Sequence, residues 1–139
     1  MGHILAPVSA GELIDKISIL RIKSERMSDP DKLANVRKEL TLLEKTLSSL
    51  DIDDPQKLET LMADLKDVNE EIWDAEDIVR AHERSDDFGP DYIATSRRTY
   101  RNNDRRASLK RQINVLLKST LVEEKSHAAK DLPKARRAG

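Results

Sequence analysis

Apolar residues recur at alternating steps of three and four along most of this chain, the spacing of one buried face on an α-helix. The clearest run extends from Leu33 to Leu50 and forms a heptad seam of the kind found in coiled coils. A second run extends from Leu58 to Val79, and a shorter one from Leu13 to Met27. The pattern therefore predicts a protein built from helices rather than strands.

Start and stop signals divide these runs into four helices. Ser9 followed by Glu12 forms a capping-box pattern, and Asp29-Pro30 and Asp54-Pro55 each supply an N-cap followed by a first-turn proline. A cluster of helix-breaking residues at 85–90 separates the last two helices. The predicted helices cover residues 10–27, 30–50, 55–84 and 91–119.

Short loops between helices of this length favour antiparallel neighbours. We therefore predict an all-α fold, either an antiparallel four-helix bundle or two packed helical hairpins. The heptad seams also leave room for a dimer. The length suits one domain, so residues 1–127 are predicted to form a single helical domain. Residues 128–139, rich in Ala, Lys and Arg without an apolar pattern, are predicted to be a disordered basic tail.

Composition narrows the class of protein. With 37% charged residues and four glycines in 139 residues, the chain suits long, surface-charged helices around an aliphatic core. The absence of Cys excludes disulfides and thiolate metal sites, and a net charge of −1 gives no overall attraction to nucleic acid. No apolar run reaches the length of a membrane span, and no signal segment is evident, so we expect a cytoplasmic protein.

All four aromatic residues lie in one segment, which is the first candidate for a site. They are Trp73, Phe88, Tyr92 and Tyr100, and the basic run 101–106 follows directly. Such rings fill pockets or stack on ligands. The alternative is that Trp73, Phe88 and Tyr92 plug the open end of the bundle over the turn between the last two helices.

Helix geometry places several polar residues near the buried stripe of the third helix. With Ile72 at the centre of the stripe, Glu76 falls about 40° away, Arg80 about 80° and Trp73 about 100°. The fourth helix changes phase, because its apolar stripe leads back to Asn102 and Arg105, while Tyr100 lies nearly opposite. Failures of patterning concentrate at functional or strained positions.

These residues form the predicted ligand-binding set. An anionic metabolite such as a sugar phosphate or a nucleotide would suit its cations and amide. The alternative is a charge zipper, because residues 64–87 hold ten acids and three bases whereas residues 97–111 hold seven bases and one acid. The set consists of Trp73, Glu76, Arg80, Tyr100, Asn102 and Arg105.

The acidic run 70–77 resembles the magnesium-binding helices of all-α nucleotide pyrophosphohydrolases. A magnesium site needs several carboxylates that converge on one interior face. Here only Glu76 leans inward, so the run is predicted to be a solvated acidic face. The three histidines are scattered, and no phosphate-binding loop or hydrolase motif is present. We therefore expect no metal and no cofactor.

Several blocks of the chain form a recognisable set. They are Gly11–Ile17 with Lys23, Glu25 and Arg26; Lys32–Arg37; Val68–Asp77; Phe88; Tyr100–Arg106; Leu109–Lys110 with Ile113–Asn114; and Val122–Lys125. Taken together, these blocks resemble a small bacterial and phage domain family of unknown function. The resemblance implies a helical fold, and it carries no catalytic residue. Arg21 stands where an acidic residue is expected, and His127 where an aromatic one is expected.

In the first helix, the stretch from Leu13–Ile17 through Glu25–Met27 also resembles the opening helix of the helical chorismate mutases. That resemblance implies that Lys16 and Arg26 bind a dicarboxylate between helices, but the chain after this helix does not follow the pattern.

Two functional hypotheses follow. The first is a non-enzymatic interaction or accessory module that forms a homodimer or binds another protein. The alternative is a site that binds a small anionic metabolite, with or without catalysis, at the end formed by the third and fourth helices. Nucleic acid and membrane partners are not expected.

Overall fold

The computed structural model describes residues 2–126, which form four α-helices joined by short connections. The predicted all-α fold is confirmed, and every predicted helix boundary lies within three residues of the observed one. The predicted tail at 128–139 lies outside the described residues. The helices are α1 Ala10–Arg26, α2 Pro30–Ser48, α3 Pro55–Ser85 and α4 Pro90–Leu116.

Three helices begin at the capping residues that the sequence predicts. The Ser9 hydroxyl accepts a hydrogen bond from the Glu12 backbone N–H at 3.1 Å. The carboxylates of Asp29 and Asp54 accept backbone N–H bonds in the same way at the starts of α2 and α3. These bonds satisfy donors that have no partner within the helix. The side chain of Glu12 does not complete the capping box, because it contacts Lys110 of α4 instead.

Both α3 and α4 end in a Schellman motif whose left-handed residue is not glycine. Lys118 has a φ of 53°, and the next residue, Ser119, donates its N–H to the carbonyl of Asn114 at 2.8 Å. Asp86, with a φ of 54°, plays the same part after α3. Without a glycine to mark the stop, the sequence placed the end of α4 three residues too late.

The helices form two hairpins that pack together through α1. Contacts of α1 extend to all three other helices, whereas α2 packs mainly against α1. Asp15 contacts Asn69 and Arg26 contacts Asp74, so α1 runs parallel to α3. Gly11 contacts Asn114 and Asp15 contacts Arg106, so α1 runs antiparallel to α4. Of the two predicted arrangements, the packed hairpins describe these contacts more closely.

The main apolar core lies beside the first half of α1. Leu65 and Ile113 are fully buried there, in contact with Ile14 of α1. Burial of each such side chain stabilises the fold by about 1.5–3 kcal/mol. All members of the cluster are aliphatic, as the composition predicts, and they are Ile14, Leu58, Leu61, Leu65 and Ile113.

The α3–α4 hairpin projects beyond the rest of the fold. At a rise of about 1.5 Å per residue, the 31 residues of α3 span about 46 Å, whereas the 17 residues of α1 span about 25 Å. The last residue of α1, Arg26, pairs with Glu70 and Asp74, so α3 continues past it. We call residues 76–101 the distal hairpin, in which Thr95 alone is buried.

Across residues 2–126, no helix has the length and apolar character to cross a membrane.

Candidate functional site in a polar core between three helices

A buried carboxylate, Asp15, joins three helices at one point. Its side chain is 1% exposed, and both of its oxygens accept hydrogen bonds from the guanidinium of Arg106 on α4, with Nε 3.0 Å from Oδ1. The amide of Asn69 on α3 donates to the same Oδ1 at 3.0 Å and to the hydroxyl of Ser18 at 3.2 Å. Two parallel bonds from a planar guanidinium hold the carboxylate in a defined orientation.

A second buried cation, Lys110, lies one turn further along α4 from Arg106. Its Nζ is 2.8 Å from an oxygen of Glu12, 2.6 Å from one of Glu123 and 3.8 Å from one of Asp15. Burial by itself lowers the pKa of Lys110, but the hydrogen bonds to Glu12 and Glu123 outweigh burial and leave the pKa raised. Similarly, the hydrogen bonds to Asp15 raise the pKa of Arg106. Both side chains are therefore cationic at neutral pH.

Gly11 allows α1 to approach α4 closely enough to form this cluster. Its backbone N–H donates to Oδ1 of Asn114 at 2.6 Å. A Cβ at this position would lie 2.5 Å from the backbone oxygen of Lys110, a distance that real Cβ atoms do not show. A larger residue would push the start of α1 away from α4, and with it Glu12 and Asp15.

The segment after α4 lies across the same region. We call residues 117–126 the C-terminal strap, which has no regular secondary structure. The Ser119 hydroxyl accepts a bond from the Ala10 backbone N–H at 3.1 Å, and Glu123 contacts Lys110. The strap thereby adds a carboxylate to the cluster from outside the helices.

Two clefts flank Arg106, and both are lined by Glu12 as well. The first, of about 240 Å³, lies beside the strap, and the second, of about 230 Å³, lies between α1 and α2. The first is lined by Glu12, Asn103, Arg106, Ala107, Lys110, Glu123 and Lys125. The second is lined by Glu12, Asp15, Lys16, Ile19, Leu20, Lys23, Glu39 and Arg106. The Arg106 side chain therefore lines both clefts.

The residues predicted from the sequence are not gathered into one cluster. Trp73 is half-buried, and the guanidinium of Arg26 lies 5.9 Å from its ring centroid, within the range of a cation–π contact. Tyr100 is 46% exposed. Glu76 and Arg80 are exposed and pair with each other at 3.5 Å.

The inward orientation predicted for Glu76 and Arg105 is wrong, whereas Asn102 is buried as predicted. Arg105 is exposed, lies 3.5 Å from Glu71 and donates a hydrogen bond to Oδ1 of Asn102 at 3.4 Å. Because α1 ends near Asp74, no described helix covers the face on which Glu76 lies. Asn102 is 4% exposed, and its Nδ2 has no hydrogen-bond partner among residues 2–126.

The predicted charge zipper between α3 and α4 is reduced to one ion pair. Within the described part of the chain, Glu71 and Arg105 form the only salt bridge between these helices. The other paired charges of α3 contact mainly α1, as when Lys66 lies 2.7 Å from Glu25. Most basic side chains at the start of α4 therefore face solvent.

The aromatic residues divide into two groups. Tyr92 packs edge-on against Phe88, with ring centroids 5.2 Å apart, and against His82 at 6.0 Å. This group lies at the turn between α3 and α4 and holds two of the three rings of the plug alternative, Phe88 and Tyr92. Trp73 lies apart from it, beside the end of α1.

The polar core as a cluster was not predicted from the sequence, although the sequence contains a signal for it. Four polar residues recur every four positions on α4, next to its apolar stripe, and all four are at least partly buried. On α1, Asp15 likewise lies in the middle of an apolar helix. The α4 residues are Asn102, Arg106, Lys110 and Asn114.

The blocks that carry the family resemblance meet in this core. Gly11, Glu12 and Asp15 come from the first block, and Asn69, Arg106, Lys110, Asn114 and Glu123 come from four others. Among the 125 residues from 2 to 126, no three His, Asp or Glu side chains are grouped as metal ligands. The chain belongs to DUF6165, a family of unknown function, which it matches over residues 4–133. It matches no curated protein and no solved structure.

Proposed function

We propose that this member of DUF6165 is a non-enzymatic interaction module that forms a homodimer through its distal hairpin. The proposal depends on one observation, an uncovered apolar stripe on α4. Ile93 is 54% exposed and Tyr100 is 46% exposed. Seven residues apart, they lie on one face of the helix, and no other helix in residues 2–126 covers that face.

Charge complementarity supports a second copy of this chain as the partner. Within the distal hairpin, α3 exposes three acids and two bases, whereas α4 exposes Arg97, Arg98 and Arg101 and one acid, Asp91, so the two helices carry opposite net charges. None of these three arginines forms an ion pair within the described residues. A two-fold axis that lies between two hairpins and runs parallel to their helices places α3 of one copy beside α4 of the other. Each acidic helix then faces a basic one, which favours this pairing.

The proposal can be tested by sedimentation equilibrium of the wild-type chain and two variants. We expect a dimer at micromolar concentrations, because the apolar stripe is removed from water on pairing. Replacement of both Ile93 and Tyr100 by Glu is expected to give a monomer. The matched control is Val115→Glu, since Val115 is also on α4 and 75% exposed but lies outside the distal hairpin.

A wild-type monomer at every concentration tested would rule out the homodimer. A dimer that survives the double substitution would place the interface elsewhere. If the wild type is monomeric but the apolar stripe binds a different protein, the proposal of self-association also fails. Added salt is expected to weaken the dimer, because the paired charges lie at its exposed rim.

A further inference from the structure

We propose that the cleft between α4 and the C-terminal strap binds a small oxyanion, the phosphate or carboxylate group of a metabolite, in the place that the Glu123 carboxylate now occupies. The proposal is independent of the distal hairpin. It places the anion against Asn103, Arg106 and Lys110 rather than against the residues predicted from the sequence.

The charges in the cleft favour an anion once Glu123 has left. Arg106, Lys110 and Lys125 line the cleft as cations, and Glu12 and Glu123 line it as carboxylates. Asp15, which is buried behind the cleft and bonded to Arg106, adds a third carboxylate to this set of charges. The set is therefore neutral with Glu123 in place and carries one uncompensated positive charge without it. An incoming oxyanion restores the balance.

Hydrogen-bond donors for such an anion are already present. Arg106 uses Nε and Nη2 for Asp15, and its Nη1 makes no hydrogen bond with any residue from 2 to 126. Once Glu123 has moved away, the N–H of Lys110 that now donates to Glu123 can donate to the anion. Asn103 adds an amide on the same cleft wall. A guanidinium, an ammonium and an amide on one cleft suit phosphate and carboxylate groups.

The volume of the cleft limits the size of the ligand that it can bind. Its volume of about 240 Å³ is below the usual range of about 300–1,000 Å³ for drug-sized ligands. Inorganic phosphate, a small phosphate monoester or a short dicarboxylate fits this space better than a nucleotide does.

Glu123 can be displaced without loss of the polar core. Its side chain is 49% exposed and belongs to the strap rather than to a helix. The neighbouring pair of Glu124 with Arg111 is more exposed still. Lys110 keeps Glu12 as a partner at 2.8 Å, so rotation of the half-exposed Glu123 side chain, with the strap backbone and Lys125 in place, leaves the buried ammonium paired. The bonds of Asp15 to Arg106 and Asn69 remain on rigid helices.

Isothermal titration calorimetry of the full chain tests the proposal, with inorganic phosphate and succinate as separate probes. We expect Glu123→Gln to bind the preferred probe about tenfold more tightly than the wild type, because the competing charge is gone. The matched control Glu124→Gln is expected to retain the wild-type affinity, since Glu124 pairs with Arg111 outside the cleft. Lys125→Gln, a change at an exposed position of the cleft wall, is expected to weaken binding several-fold.

The two probes distinguish a phosphate site from a carboxylate site, and binding of either one supports the proposal when it follows this order of variants. No binding of phosphate or succinate to Glu123→Gln would overturn it. Binding that is equal in the wild type, Glu123→Gln and Lys125→Gln would also overturn it, because the anion would then be bound elsewhere.

Discussion

At the residue scale, the buried amides Asn69 and Asn102 show that the effect of a buried polar side chain on stability depends on its surroundings. Both side chains are about 5% exposed or less. Asn69 donates to Asp15 and Ser18, whereas Nδ2 of Asn102 has no partner in residues 2–126. A buried polar group that makes its hydrogen bonds is tolerated, and one that does not make them lowers stability.

The contrast predicts opposite effects of the same substitution. We expect Asn102→Leu to raise the free energy of unfolding by about 1–2 kcal/mol, because the unpaired amide is removed from the interior. Asn69→Leu is its matched control and is expected to lower that free energy by about 1–3 kcal/mol, because Asp15 and Ser18 lose a donor. Urea denaturation measures both. Destabilisation by Asn102→Leu would show that the hydrogen bond from Arg105 to its Oδ1 outweighs the cost of the unpaired Nδ2.

At the element scale, the ends of the helices explain both the success and the error in their prediction. Ser9, Asp29 and Asp54 lie at N-caps because their short side chains accept backbone hydrogen bonds. The end of α4 depends instead on a lysine in the left-handed conformation, which few side chains adopt. The sequence contains no local signal for that choice.

The left-handed residue provides a direct test. Lys118→Gly is expected to raise the free energy of unfolding by roughly 1 kcal/mol, because glycine adopts a positive φ without a steric cost. Lys118→Ala is the control, because it also removes the exposed pair with Asp53 but keeps a Cβ. Thermal melts of the two variants should differ, with the glycine variant more stable. Equal stability would show that the Schellman motif imposes no strain at this position.

At the scale of the whole molecule, the polar core holds the two hairpins together. Asp15 belongs to the first hairpin, and its partners Arg106 and Asn69 belong to the second. Removal of one partner of such a buried pair typically costs about 3–5 kcal/mol. The apolar cluster and the polar core lie along the same contact, so we expect the hairpins to unfold together.

The raised pKa of Lys110 predicts how stability depends on pH. Its charged form is favoured in the folded state, so its contribution is complete below the ordinary pKa of 10.5 and is lost as the pH rises through the folded-state pKa. Lys66, whose hydrogen bond to Glu25 raises its pKa, acts in the same direction. We expect the midpoint of thermal unfolding to fall above pH 10.5.

One variant can show which of the two lysines causes the fall in the midpoint of thermal unfolding at high pH. Lys66→Gln removes the more exposed of the two contributions and is expected to retain most of the alkaline fall, because Lys110 is more deeply buried and pairs with two carboxylates. A melting temperature that stays constant above pH 10.5 would contradict the role of both lysines.

The sequence by itself determined the helices, their approximate ends and their aliphatic core, because hydrophobic spacing and N-caps act within a few residues of the chain. It also determined that Asn102 lies on the buried side of α4. The tertiary structure decided which polar residues meet. Asp15, Asn69, Arg106 and Glu123 are far apart in the chain, and their contact depends on the close approach at Gly11. The length of α1 decided that Glu76 and Arg105 face solvent, because a helix buries only the faces that its neighbours reach.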